Sequence, residues 1–189
     1  YLRVLAIEEE IYGEESEEAA ATLNRLALLY KTQGFYQKAE QWYIQALSIS
    51  EKVLGAEDIK TSTILNNLAV LYEIIGSYDK AEDLYLRSLA IHEKAYGREH
   101  SETAMGLNNL AVVYMSKGLY KKAELFLLRA VNINEKDTST NEEDSATFLS
   151  NLGSLYKDQG LYRKAELFML RGLTIREKHL GPQHTDIAN

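Results

Sequence analysis

The sequence predicts an all-α fold, a right-handed α-solenoid (superhelix) built from antiparallel helix pairs. Three observations predict it. A block beginning at Leu23 returns at Leu65, Leu107 and Leu149, a constant interval of 42 residues without insertion or deletion. Apolar residues follow a helical spacing inside each repeat, and glycines stand at the corners between the predicted helices. Because one helix pair cannot cover its own apolar stripe, neighbouring pairs stack and bury it.

Each repeat contains two amphipathic helices. The first helix places apolar side chains at i, i+3, i+4 and i+7, which is one helix face; in repeat 1 they are Leu23, Leu26, Ala27 and Tyr30. The stripe of the second helix consists of Ala39, Tyr43, Ala46 and Leu47. Alanines at the crossing predict a close approach of the two helices, with the tyrosines filling the sides.

Glycines end the predicted helices, because glycine adopts the left-handed conformation found at helix C-termini. The first corners carry Gly34, Gly76, Gly118 and Gly160, and the second corners carry Gly55, Gly97 and Gly181. The corner at 137–141 is polar instead, and Thr140 with Glu143 predicts a capping box there. The interval predicts a single array over 1–189: part of a preceding repeat at 1–15, repeats at 16–57, 58–99, 100–141 and 142–183, and the start of another at 184–189.

The repeated residues resemble those of a known family. Their order and spacing match the tetratricopeptide signature at Leu26, Ala27, Tyr30, Gly34, Tyr36, Ala39, Tyr43 and Ala46. The usual repeat has about 34 residues, and here the additional ones lie between Ala46 and Leu68, which predicts a second helix running to about Gly55. This longer form, with the run Ala90–His100, resembles the repeats of kinesin light chains and their bacterial relatives. The resemblance implies a protein-binding scaffold and leaves the ligand open.

Composition argues against several other functions. The net charge of −7 disfavours a nucleic-acid surface, which needs clustered cations. The absence of cysteine excludes disulfides and cysteine-based zinc sites and fits the cytoplasm. No apolar run reaches the about 18–20 residues of a membrane span. We therefore expect neither nucleic-acid nor membrane partners.

No catalytic motif is found, so the sequence predicts no enzyme, no cofactor and no metal site. Of the four histidines, His100 and His184 fall at equivalent corners and are predicted to be capping or corner residues, while His92 lies at a variable helical position. Glutamates such as Glu40 recur once per repeat, which indicates a structural role, since a catalytic pair is not copied four times.

The concave side of the array is the predicted peptide-binding site. We call the residues of the first helices that point there the groove face: Asn24, Arg25, Leu28, Lys31, Asn66, Asn67, Val70, Ile74, Asn108, Asn109, Val112, Met115, Ser150, Asn151 and Ser154. Asparagine is a poor helix former, and its amide can bind the backbone of an extended peptide. In related repeats asparagines at these places bind ligand backbone. The alternative is that the amides bond to the neighbouring repeat and stabilise the stack, and both roles can coexist.

A second apolar surface is predicted on the second helices, where the family usually carries a charge. It consists of Ile44, Leu86, Leu128 and Leu170. Either the next repeat covers these side chains or they form an outer contact surface.

Two functions follow. The first is a protein-interaction scaffold that binds an extended peptide segment in the concave groove, as part of a larger multidomain or adaptor protein. The second is a structural or assembly module that self-associates or packs on a neighbouring domain. Helices without a cap at both ends predict end-to-end self-association of separate molecules.

Overall fold

The computed structural model describes residues 1–136 and 142–180, and every regular element within these ranges is an α-helix. The chain forms two compact units, unit 1 (Tyr1–Ala95) and unit 2 (Tyr96–Asn189). The helices of unit 1 are α1 (Leu2–Tyr12), α2 (Glu17–Thr32), α3 (Tyr36–Val53), α4 (Ile59–Ile74) and α5 (Tyr78–Tyr96). Those of unit 2 are α6 (Ser101–Ser116), α7 (Tyr120–Lys136), α8 (Glu142–Asp158) and α9 (Tyr162–Leu180).

Consecutive helices pack against each other within each unit, so the predicted all-α fold of helix pairs is confirmed. In unit 1, α2 packs on α1 and α3, α3 packs on α4, and α2 also touches α4. In unit 2, α6 packs on α7, α7 on α8 and α8 on α9. The second helices extend as predicted; α3, for example, ends at Val53, two residues before Gly55.

Glycine conformation explains the corners. Gly34 has φ of 79°, and after it the Phe35 N–H donates to the Tyr30 carbonyl at 2.9 Å, which closes α2. The described glycines at equivalent corners also have positive φ. Gly181, Thr140, His184 and the predicted start of another repeat lie outside the described residues.

Helix N-termini are capped by three chemically different residues 42 positions apart. The Ser16 hydroxyl accepts from the Ala19 N–H, and an Asp58 carboxylate oxygen accepts from the Lys60 N–H. His100 caps α6 by accepting from the Glu102 N–H through Nδ1 at 3.1 Å. The prediction that His100 is a capping residue is therefore confirmed.

The core consists of the predicted apolar stripes. One cluster in unit 1 joins α1, α2, α3 and α4 through Leu5, Ala19, Ala20, Leu23, Ala46, Ile49 and Ile64. The first-helix tyrosines Tyr72, Tyr114 and Tyr156 are buried. Tyr30 is only half-buried, with the Phe35 ring edge-on at 6.2 Å between centroids.

Tyrosines also connect neighbouring repeats through the recurring Lys-Ala-Glu sequence of the second helices. The Tyr72 hydroxyl donates to Glu40 at 2.7 Å, from α4 to α3, and the Tyr156 hydroxyl donates to Glu124 at 2.6 Å, from α8 to α7. A lysine lies over the tyrosine ring of its own repeat in all four repeats; these lysines are Lys38, Lys80, Lys122 and Lys164. Glu40 and Glu124 thus have the structural role that their recurrence indicated.

Candidate functional site

The groove face of unit 1 combines exposed apolar side chains with half-buried polar ones. Leu28 is 41% exposed and Ile74 is 51% exposed. Arg25 is exposed as well. The half-buried members are Asn24, Lys31, Asn66, Asn67 and Val70. Exposed apolar groups beside amides suit a ligand that offers both side-chain anchors and backbone hydrogen bonds.

Two amides of this face bond to each other across the repeats. Asn67 Nδ2 on α4 donates to Asn24 Oδ1 on α2 at 3.1 Å. This contact is the inter-repeat bond that the structural alternative predicted. The Nδ2 group of Asn24 and the Oδ1 atom of Asn67 have no protein partner among the described residues. Because a primary amide has donors and an acceptor, each residue of the pair keeps hydrogen-bonding capacity for a ligand.

An open cavity of about 300 Å³ lies beside this pair. Asn24 and Arg25 line it from α2, Lys60 and Thr63 line it from α4, and Leu54 closes it at the end of α3. Polar side chains of two neighbouring repeats of unit 1 therefore line the same cavity.

Two charges of unit 1 occupy the same repeat position in neighbouring repeats. Lys31 and Glu73 are the next-to-last residues of α2 and α4, and both are half-buried. Burial lowers the pKa of the Lys31 amine. Burial also raises the pKa of the Glu73 carboxyl, and the hydrogen bond from the Tyr85 hydroxyl, at 3.2 Å, partly opposes that rise.

The equivalent face of unit 2 contains a second amide pair. Asn151 Nδ2 on α8 donates to Asn108 Oδ1 on α6 at 2.8 Å. Asn108 is buried, with 8% of its surface exposed. The other members on α6 and α8 are half-buried: Asn109, Val112, Met115, Ser150 and Ser154.

Ser150 differs from the predicted groove orientation. Its hydroxyl donates to the Ala146 carbonyl at 2.8 Å, and a Cβ atom built on Gly172 of α9 lies 3.2 Å from its Oγ. Ser150 therefore lies at the α8–α9 contact. The reason is its small size, which lets it face the closely packed glycine of the partner helix.

The second apolar surface is exposed. Ile44 and Leu86 in unit 1 are 49% and 41% exposed, and Leu128 and Leu170 in unit 2 are 43% and 53% exposed. Leu125 and Leu167 are exposed beside the last two. Ile44 and Leu128 stay exposed although the next repeat of the same unit is described, so the next repeat does not fully cover these two side chains.

Sequence reasoning missed two features of the molecule. The Tyr85–Glu73 bond was not predicted, although Glu73 is the one acid at a position that carries Lys31, Met115 and Lys157 elsewhere. The lysines over the tyrosine rings were missed as well, although they recur at the 42-residue interval.

Residues 1–136 and 142–180 contain no cluster of three or more metal-ligating side chains. Within the same ranges, no helix combines the length and the apolar character that a bilayer crossing needs.

His92 contacts the Ser62 hydroxyl through Nε2 at 2.8 Å, which links α5 to α4.

Comparison with known proteins gives consistent results. The tetratricopeptide repeat profile matches residues 1–52, 18–94, 60–136 and 102–178. BtubC (BKLC) from P. vanneervenii has a similar structure with a TM-score of 0.79 and 29% identity, over 89% of this chain and 67% of that protein. No match was found among curated protein sequences.

Two further structures share the fold at lower identity. A Podosopora anserina protein of kinesin light chain type, with nearly identical TPR-like repeats, superposes with a TM-score of 0.80 and 24% identity, over 95% of this chain and 84% of that one. The apo form of RapI superposes with a TM-score of 0.79 and 21% sequence identity, over 98% of this chain and 49% of RapI. This chain therefore spans about half of RapI.

Proposed function

Because the chain belongs to the tetratricopeptide repeat family, whose repeats form protein-interaction scaffolds, we propose that it binds an extended peptide segment on its groove face. The protein acts as a non-enzymatic scaffold in the cytoplasm, within a larger multidomain or adaptor protein. Its partners are proteins or peptides, and it requires no cofactor.

The amide pair of unit 1 carries the proposal. Asn24 and Asn67 bond to each other, each keeps a hydrogen-bonding group, and Asn24 lines an open cavity of about 300 Å³. The pair thus stabilises the stack and offers one donor and one acceptor to the backbone of a ligand. Leu28 and Ile74, exposed on the same face, supply apolar anchor points.

Peptide selection tests this proposal. A displayed library of random 12-residue peptides is selected on the immobilised full chain, and the affinities of the selected peptides are measured by calorimetry. The Asn24→Ala/Asn67→Ala variant should bind them more weakly, by about 0.5–1.5 kcal/mol for each ligand hydrogen bond lost. Asn132→Ala, an exposed asparagine on α7, is the matched control and should bind normally.

The second candidate function is an assembly module, which the exposed second apolar surface favours. Leu125 and Leu167 are the most exposed leucines beside it, at 67% and 56%. If this surface makes the functional contact, Leu125→Glu/Leu167→Glu abolishes self-association in sedimentation while the asparagine variant does not. Peptide binding that survives in the asparagine variant and is lost in the leucine variant would reject the groove as the site.

A further inference from the structure

Opposite charges occupy equivalent positions in the two neighbouring repeats of unit 1. Lys31 on α2 and Glu73 on α4 are 42 residues apart in sequence, and both are half-buried. Because Lys31 belongs to the predicted groove face, the repeat places Glu73 on the same face. Neither one forms an ion pair with a described residue. The hydroxyl of the buried Tyr85 donates to Glu73 Oε2 at 3.2 Å and thereby positions the carboxylate.

Each of these charges has lost hydration without gaining an opposite charge. The pKa shifts described above have burial as their first cause for both groups. An ion in such a place is stabilised by an incoming countercharge more than a fully hydrated ion is. Arg25 lies on the same face, but it is exposed and keeps its hydration, so it contributes less to selection.

We propose that the groove face of unit 1 selects peptides by charge polarity, accepting an acidic side chain at Lys31 and a basic side chain at Glu73. This inference rests on the proposed peptide-binding function and specifies its ligand. Neighbouring packed helices lie about 8–10 Å apart, and an extended strand advances about 3.3 Å per residue. The two charged side chains of the ligand are therefore about three residues apart.

The sequences of selected peptides give the first test. Peptides selected from the random 12-residue library on the full chain should be enriched in one acidic and one basic residue about three positions apart, in a fixed order. Peptides selected on the Lys31→Glu/Glu73→Lys variant should carry the same pair in reversed order. This swap keeps the net charge of the protein and any direct attraction between residues 31 and 73, so reversal can come only from contact with the ligand.

Affinities of single variants give the second test. Glu73→Gln should weaken binding of a selected peptide about tenfold, the loss expected for one hydrogen bond between charged groups. It should leave unchanged the binding of the same peptide with its basic residue replaced by Gln. Asp83→Asn, which removes one exposed acid from α5, is the matched control and should affect neither peptide.

Tyr85 is tested as a positioning residue. Tyr85→Phe should weaken binding of the basic peptide by a smaller factor than Glu73→Gln and leave its Gln analogue unaffected, whereas a general loss of stability would affect both peptides equally. Thermal unfolding monitored by circular dichroism verifies that each variant is folded.

The outcomes separate this inference from the proposed function. Selected peptides that need Asn24 and Asn67 but show no charge order, or an order that the swap leaves unchanged, overturn the polarity inference alone. Selected peptides that bind independently of both asparagines overturn the proposed function and this inference with it.

Discussion

Tyr72 shows at the scale of one residue how neighbouring repeats are joined. Its ring is buried, its hydroxyl donates to Glu40 at 2.7 Å, and Lys80 Nζ lies 4.6 Å from its centroid. Lys80 is also 3.6 Å from the Glu40 carboxylate. The three side chains therefore contact one another: the carboxylate accepts a hydrogen bond from the hydroxyl, and the ammonium group is close to both the carboxylate and the ring.

Removing this hydroxyl should destabilise the protein. Tyr72→Phe keeps the ring and loses a hydrogen bond to a charged acceptor, so we expect the free energy of unfolding at pH 7 to fall by about 1–2 kcal/mol. Urea titration measures it. Tyr36→Phe, at an exposed tyrosine, is the matched control and should change the free energy by less than about 0.5 kcal/mol.

The same bond should make stability depend on alkaline pH. Burial, with the hydrogen bond and charge of Glu40, raises the pKa of Tyr72 to about 12, above the unfolded value of about 10. The stability contributed by the neutral hydroxyl is therefore fully present below about pH 10 and is lost as the pH rises toward 12. The difference between wild type and Tyr72→Phe should shrink over this window; a constant difference would contradict the assignment.

Residue-level roles were predictable where the repeat made them periodic. The burial of Tyr72 and the structural role of Glu40 follow from their recurrence at 42 residues. The Glu73–Tyr85 bond could not be predicted in this way, because it occurs where one repeat differs in sequence from the others. A 42-residue period predicts what the repeats share, and it cannot predict a contact that a single repeat makes.

At the scale of helices, α8 and α9 cross most closely where both contribute glycine. A Cβ atom built on Gly153 lies 2.6 Å from Met169 Cγ and 3.2 Å from the Ala165 carbonyl oxygen. One built on Gly172 lies 3.1 Å from the Ala146 carbonyl oxygen. The earlier repeats have alanine at the Gly153 position, so repeat 4 uses glycine to accommodate the methionine.

Gly153→Ala should therefore destabilise unit 2 despite the better helix propensity of alanine. Propensity favours alanine by about 1 kcal/mol, but overpacking costs about 1–3 kcal/mol, so we expect a net loss of about 1 kcal/mol in urea unfolding. Combining it with Met169→Ala should reduce that loss, because the closest contact is removed.

Ser154→Ala, on the same helix, is the control for propensity alone. Its side chain is half-buried, and the substitution adds no atom. Serine is a better helix former than glycine, so the propensity gain at Ser154 is the smaller one. A gain of stability in Gly153→Ala that exceeds the gain of Ser154→Ala would show that α9 moves away from α8 at no cost.

Helix positions were predicted well because glycine corners and apolar stripes are local signals. The second helices extend toward the second corner as expected, and His100 caps α6. Ser16 and Asp58 perform the same function at equivalent positions. All three have an extended N-cap backbone and accept a hydrogen bond from the first turn, but they are different residue types, so no single residue type marked the cap in the sequence. The predicted orientation of Ser150 toward the groove was wrong, because a side chain this small fits a close helix contact as well as a groove.

At the scale of the whole molecule, apolar burial contributes more to stability than surface charge does. Ion pairs recur along the chain at nearly constant sequence separation: Lys52–Glu15, Lys94–Glu57, Lys136–Glu99 and Lys178–Glu142. All four pairs have largely exposed side chains, and ion pairs that water surrounds contribute little to stability. The buried stripes of each unit therefore determine whether it folds.

Unit 1 should fold by itself. Its core cluster, from Leu5 to Ile64, is drawn from its own helices, and in a linear array stability is a sum of repeat and nearest-neighbour terms. A fragment of residues 1–96 should show a helical circular dichroism spectrum and cooperative urea unfolding. Because the urea dependence of the unfolding free energy scales with chain size, its m value should be about half that expected for 189 residues unfolding together. Leu65→Ala in the fragment, at a fully buried site, should cost about 2–5 kcal/mol and leave it largely unfolded. A fragment with the spectrum of a random coil before any substitution would show that the apolar stripes of α1 to α5 cannot sustain a core alone.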